Sequence, residues 1–154
     1  MTSNPNETAT STIEARAIDS PLPWAQGHIR QYLESDGARV DHPMADALIL
    51  LYVKGKKSGQ IRRVPVAHYA DGESLIVIGS KDGAPDHPSW YLNLRHDPQV
   101  WVRRRSEFFE ARAEDLEGEE YERMWETITA WVPGFGEYRT KTSRRIPLVR
   151  LRPV

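Results

Sequence analysis

The chain has 154 residues, with 21 Lys+Arg against 22 Asp+Glu, a formal net charge of −1 and no Cys. That length favours one domain around one hydrophobic core. The lack of Cys excludes disulfides, thiolate zinc sites, iron–sulfur clusters and cysteine nucleophiles, and the near-neutral balance argues against a general nucleic-acid binder. No run approaches 18 consecutive apolar residues, so no transmembrane helix is encoded. With no basic-then-apolar leader pattern at its start, the chain is expected to be cytoplasmic.

Residues 1–22 are rich in Ser and Thr and hold no aromatic residue. This composition predicts a disordered or loosely docked tail, with the folded domain over 23–154. From Trp24 to Ser35 a helix is predicted, with Ile29, Tyr32 and Leu33 on one face and Asp36-Gly37 as its stop. Such a face packs on the domain or makes a peripheral membrane contact. Ala47–Val53 is a continuous apolar run of buried-strand length. Arg63–Tyr69 and Ser74–Ser80 flank an Asp71-Gly72 pair, the signature of a hairpin. Pro88–Arg95 reads as a short helix. Gln99–Arg104 alternates, and Glu107–Ala113 follows as its partner strand. Tyr121, Met124, Trp125, Ile128 and Trp131 form one stripe of a helix over Glu117–Trp131, terminated by Pro133-Gly134. Ile146–Leu151 is the sixth strand. Six antiparallel strands with flanking helices predict a mainly β protein built on a small barrel.

Charge is segregated along the chain. Lys56, Lys57, Arg62 and Arg63 lie in one acid-free stretch, Arg103–Arg105 form a second block, and six cations follow Tyr138 without an acid. The stretch from Glu107 to Glu126 holds nine carboxylates. Such a field either binds a polyanion or is simply solvated. Catalytic templates mostly fail. The five His show no i, i+4 pair, so no helical metal motif is present and no metal is expected. Ser80 lacks the glycine at position 78 that a nucleophile elbow needs, and neither a Walker loop nor a GxGxxG fingerprint occurs.

Three segments are suited to one anionic ligand. Gly55-Lys56-Lys57-Ser58-Gly59 is a cationic turn between strands, and its glycines permit close backbone approach. Gly79-Ser80-Lys81-Asp82-Gly83 ends a strand with a hydroxyl and a cation. Pro88-Ser89-Trp90-Tyr91-Leu92-Asn93 begins a helix whose positive end suits an anion, with Trp90 as a planar wall.

These segments, with Tyr138–Pro147, resemble the deazaflavin-dependent nitroreductase family over roughly residues 42–153. The resemblance implies a split β-barrel of the FMN-binding type, use of reduced coenzyme F420, and hydride transfer to a quinone, nitro compound or activated enone. It places Lys56, Lys57, Ser58 and Arg62 on the cofactor's phosphate and acidic tail. Pro65, Ala67, Ile78, Gly79, Ser80 and Lys81 flank the ring and its linker, and Ser89, Trp90 and Asn93 complete the groove. Phe135 and Tyr138 lie over the ring, so that Trp90, Phe135 and Tyr138 border the substrate. The hydroxyls of Ser80 and Tyr138 are the candidates for steadying charge on the acceptor oxygen. Where the family pattern Ser-Lys-Gly-Gly has a glycine, this chain has Asp82. Where the family's nitroreductases carry tyrosines, it has Val132, Gly134 and Phe135, which leaves the cofactor expectation intact and weakens the case for nitroimidazole reduction. A monomer or homodimer with a small-molecule acceptor is expected. The alternatives are an FMN-dependent split-barrel reductase and a non-catalytic deazaflavin- or fatty-acid-binding protein.

Overall fold

In a computed structural model, which describes residues 12–154, seven strands form one sheet. They are β1 (Ile18–Asp19), β2 (Leu48–Lys54), β3 (Ile61–Asp71), β4 (Ser74–Ile78), β5 (Gln99–Arg104), β6 (Glu107–Asp115) and β7 (Leu148–Pro153). The order β3-β2-β5-β6-β7-β4 closes when β4 pairs back to β3, giving a six-stranded antiparallel barrel. The helices that pack on it include α1 (Pro23–Ser35), α2 (Ser89–His96), α3 (Gly118–Trp131) and α4 (Pro133–Lys141).

The period-2 alternation of side chains sorts every strand between two cores. Ile49, Leu51 and Val53 of β2 point into the barrel with Val64, Val66, Leu75, Val77, Val100, Val102, Val149 and Leu151. Their neighbours Leu48, Leu50 and Tyr52 point outward and are covered by Ile29 and Tyr32 of α1, beside Trp101. Burial on both faces is why this strand reads as an unbroken apolar run. On the far side Ile76, Ile78 and Leu148 are covered by Tyr121, Trp125 and Ile128 of α3 and Phe135 of α4. α2 joins the interior cluster through Trp90, Tyr91 and Leu94.

β3 has two partners in succession. Residues 61–67 pair with β2, and His68–Asp71 pair with β4. On the edge away from β2, Arg62 and Arg63 take β1 in parallel, and the Arg63 carbonyl accepts a hydrogen bond from the Ser20 N–H at 2.9 Å. Between these two contacts, Val64–Ala67 have no ladder partner on that edge among the described residues. Two residues beyond Arg63, Pro65 turns the same edge outward. A proline has no N–H to leave unpaired there, so the split in the barrel wall is chemically tolerated.

Two elements differ from the sequence expectation. β1 makes a seventh strand, too short to leave a periodic signal, and is clamped by the Arg63–Asp19 ion pair at 2.5 Å. The chain also continues as α4 after Pro133, which occupies the first turn of a new helix rather than simply ending the previous one. Of the expected N-terminal tail, residues 12–16 are helical and Ser20 is buried, while residues 1–11 lie outside the described residues.

Leu51 is fully buried inside the barrel. Leu51→Ala is expected to cost about 2–5 kcal/mol, whereas Leu92→Ala on the exposed face of α2 should stay within about 0.5 kcal/mol; urea denaturation midpoints check both.

Candidate functional site

The unpaired edge of β3 forms one wall of a cleft of about 380 Å³. Arg62, Pro65 and Ala67 line this wall, Ile78, Ser80 and Lys81 come from the end of β4, and Ser89, Trp90 and Asn93 come from the first turns of α2. Phe135 of α4 and Trp24 of α1 border it as well. Arg62, Arg63 and Lys81 give the cleft three cations; Arg63 is also committed to Asp19. A second lobe of about 360 Å³ shares Trp24, Pro65, Ala67, Ser80, Asp82 and Phe135 with the first. Its remaining lining includes His28, His42, Met44 and Tyr138.

The loop between the lobes is held in an unusual backbone shape. Lys81, Asp82 and Gly83 have φ of +43°, +53° and +78°, three successive left-handed residues of which one is glycine. Arg144 braces the loop from behind. Its guanidinium donates to the carbonyl oxygens of Ala84 (2.8 Å), Gly79 (3.1 Å) and Ser80 (2.8 Å), and lies 3.1 Å from His87 Nδ1. Gly79 is itself required, because a Cβ there would meet Pro147 at 2.9 Å.

The electrostatics of the second lobe follow from two contacts. His42 Nδ1 accepts the Met44 N–H at 2.9 Å, which makes its other nitrogen the protonated one. Burial, with the neighbouring His28, pushes the His42 pKa below the ordinary imidazole value of 6.5, while Asp82 pulls it back up. The Tyr138 phenol is pushed up, first by burial and then by Asp82, so its hydroxyl stays protonated and can donate.

The structure brings together Arg62, Pro65, Ala67, Ile78, Ser80, Lys81, Ser89, Trp90, Asn93 and Phe135 around the first lobe, and places Tyr138 on the second. Gly79 lies behind the wall. Lys56, Lys57 and Ser58 do not line it; they form an exposed turn beside it, tied down by the Lys56 N–H donating to Asn93 Oδ1 at 3.1 Å. Arg63 falls within the stretch Arg62–Ala67 expected to flank the ring, but the sequence did not mark Trp24, His28 and His42 as lining residues or Arg144 as the brace. No local pattern marks them, since folding alone brings them to the cleft. The other cation blocks serve the fold: Arg103 pairs with Glu14 and Asp36, Arg150 with Asp71 and Glu120, and Arg152 with Glu114. Among the described residues, no group of His, Asp and Glu is placed to hold a metal ion, and no helix is long and apolar enough to cross a membrane.

Residues 24–153 match the family model described as F420H(2)-dependent quinone reductase. The chain belongs to that family. This F420H2-dependent reductase is 30% identical over 141 residues to an F420H(2)-dependent quinone reductase of Mycobacterium tuberculosis, covering 83% of this chain and 95% of the relative. A solved F420-H2 dependent reductase aligns with a TM-score of 0.64 and 36% identity, over 69% of this chain and 94% of that one. A structure described as a domain-swapped dimer aligns with a TM-score of 0.66 and 34% identity, over 86% of this chain and the whole of the other. The matches agree with the split barrel seen here.

Removing the brace in Arg144→Ala is expected to cost about 1.5–3 kcal/mol and to speed hydrogen exchange at the Gly83 and Ala84 amides; Arg144→Lys should recover only part, because a single ammonium cannot span three carbonyls. His42, His68 and His87 all sit below 6.5 because burial disfavours their charged forms. Below pH 6.5 the unfolded chain therefore binds protons that the folded chain resists, and stability falls as pH drops from 7.5 to 5.5. Asp86 and Asp97, held below 3.8, change stability only at lower pH. Urea midpoints at the two pH values measure the loss.

Proposed function

We propose that the reductase binds reduced coenzyme F420 along the first lobe and passes a hydride to a quinone seated in the second. The observation that carries the reading is one continuous cleft with two characters: a cationic, partly apolar groove opening into a chamber lined by aromatic and imidazole side chains without Lys or Arg. The groove suits the cofactor's chemistry. Val64, Pro65, Val66, Trp90 and Phe135 offer apolar walls for a planar ring. Arg62 and Lys81, with Lys56 and Lys57 at its open end, offer charge to a phosphate and an acidic tail. The positive end of α2 adds to that field. FMN, with one phosphate, would leave much of this charge unused. Nitro compounds and activated enones are further acceptors of the same chemical kind.

When bound, the reduced deazaflavin supplies the hydride, so the protein's tasks are placement and charge. Trp90 and Phe135 hold the planar groups within the cleft, and the apolar lining limits water. Reduction of a quinone adds a hydride and a proton, with negative charge developing on the carbonyl oxygen. The hydroxyls of Ser80 and Tyr138 are the donors placed to steady that charge, and solvent returns the proton to the product.

Coenzyme F420 should bind the purified protein saturably, and the reduced form should be oxidised only when protein and menadione are both present. Arg62→Ala should weaken F420 binding about tenfold and flatten its salt dependence. Tyr138→Phe should lower turnover with menadione by about tenfold or more. Binding of FMN in place of F420 would overturn the assignment.

A further inference from the structure

The acceptor chamber differs from the groove in charge: Asp82 lines both, but the cations line only the groove. Among the described residues lining the chamber, Asp82 is the single carboxylate, and no Lys or Arg accompanies it. Of the groove's cations, Lys81 pairs with Asp86 at 2.8 Å and Arg63 with Asp19, so neither is paired with Asp82. Lys141 is near, but lies against the Tyr138 ring, with its ammonium 5.4 Å from the ring centroid.

The backbone holds Asp82 in place at some cost. It adopts φ +53°, a conformation natural to glycine and tolerated by Asp, inside a run of three left-handed residues. Gly83 beside it must be glycine, because at φ +78° a Cβ would meet the Lys141 side chain at 3.0 Å and the Tyr138 carbonyl at 3.1 Å. Arg144 fixes the carbonyls on either side. Asp82 is exposed and lines both lobes, and its carboxylate is near enough to His42 and Tyr138 to raise the pKa of each. An anionic acceptor entering this chamber meets a fixed like charge, whereas one presenting a hydroxyl or N–H meets an acceptor for that hydrogen bond.

We propose that Asp82 selects acceptors by charge, excluding anionic ones from the chamber and favouring neutral ones. This rests on reading the second lobe as the acceptor site. Selection of this kind keeps apart the two ligands of one cleft: the anionic cofactor is drawn to the cationic groove and repelled from the chamber where the acceptor must sit.

The test compares menadione with 1,4-naphthoquinone-2-sulfonate on the wild type, Asp82→Asn and Asp82→Glu. Dissociation constants come from tryptophan quenching without cofactor, since Trp24 and Trp90 both line the cleft, and kcat/KM comes from oxidation of reduced F420. The preference for the neutral quinone should fall about tenfold in Asp82→Asn by both readouts and persist in Asp82→Glu. The NMR-measured pKa of His42 should also fall in Asp82→Asn, because the carboxylate that raises it is gone. A preference unchanged within twofold, or a His42 pKa that does not move, overturns the role of Asp82. If the wild type reduces neither quinone, the functional reading fails, while the binding ratio still decides what Asp82 does.

Discussion

The fold depends on β3 being shared between two partners. Its first half is paired to β2 and its last four residues to β4, so the barrel can close only if the strand leaves one sheet edge and joins another. Where it crosses over, Val64–Ala67 present an unpaired edge, and the cleft occupies that gap. Pro65 stands at the point where an unpaired N–H would otherwise be exposed. Closure of the barrel and opening of the site are therefore one event. The parallel pairing of β1, tied by the Ser20–Arg63 hydrogen bond, limits the gap at its other end.

Around that gap the protein divides its charge. Arg62, Arg63 and Lys81 line the groove, while Arg103, Arg150 and Arg152 are neutralised by carboxylates across the sheet. Arg144 is the exception in kind. It is half-buried, its pKa is lowered by burial, and its partners are carbonyls rather than carboxylates. Three fixed hydrogen bonds from one planar fork suit a loop with strained dihedrals, since a backbone that would relax is tied at both ends. The positions of Ser80 and Asp82 follow from that restraint.

Much of the fold is legible in the chain. The Asp71-Gly72 turn, the alternation of Gln99–Arg104 and the apolar run of β2 all carry a local period, and these elements lie within one or two residues of their expected bounds. β1 is not legible because a two-residue strand has no period, and α4 is masked because Pro133-Gly134 satisfies the rules for a helix stop and a helix start alike. The site divides in the same way. Lys81, Trp90 and Asn93 stand out because cations, a Trp and a helix start occur together in short segments. Trp24 and His42, which line the chamber, and Arg144, which holds the Ser80 carbonyl from behind, come from separate parts of the chain that only folding brings to one site.

The claim on which the account turns is that the gap beside β3 is where the anionic cofactor lies. Amide and indole chemical-shift mapping of the labelled protein, titrated with oxidised F420, tests it directly. The account predicts saturable shifts at Arg62, Ala67, Ser80, Lys81, Asn93 and the Trp90 indole, with Glu117–Glu126 on α3 unmoved. Shifts centred on α3, or on the outer face beneath α1, would contradict it.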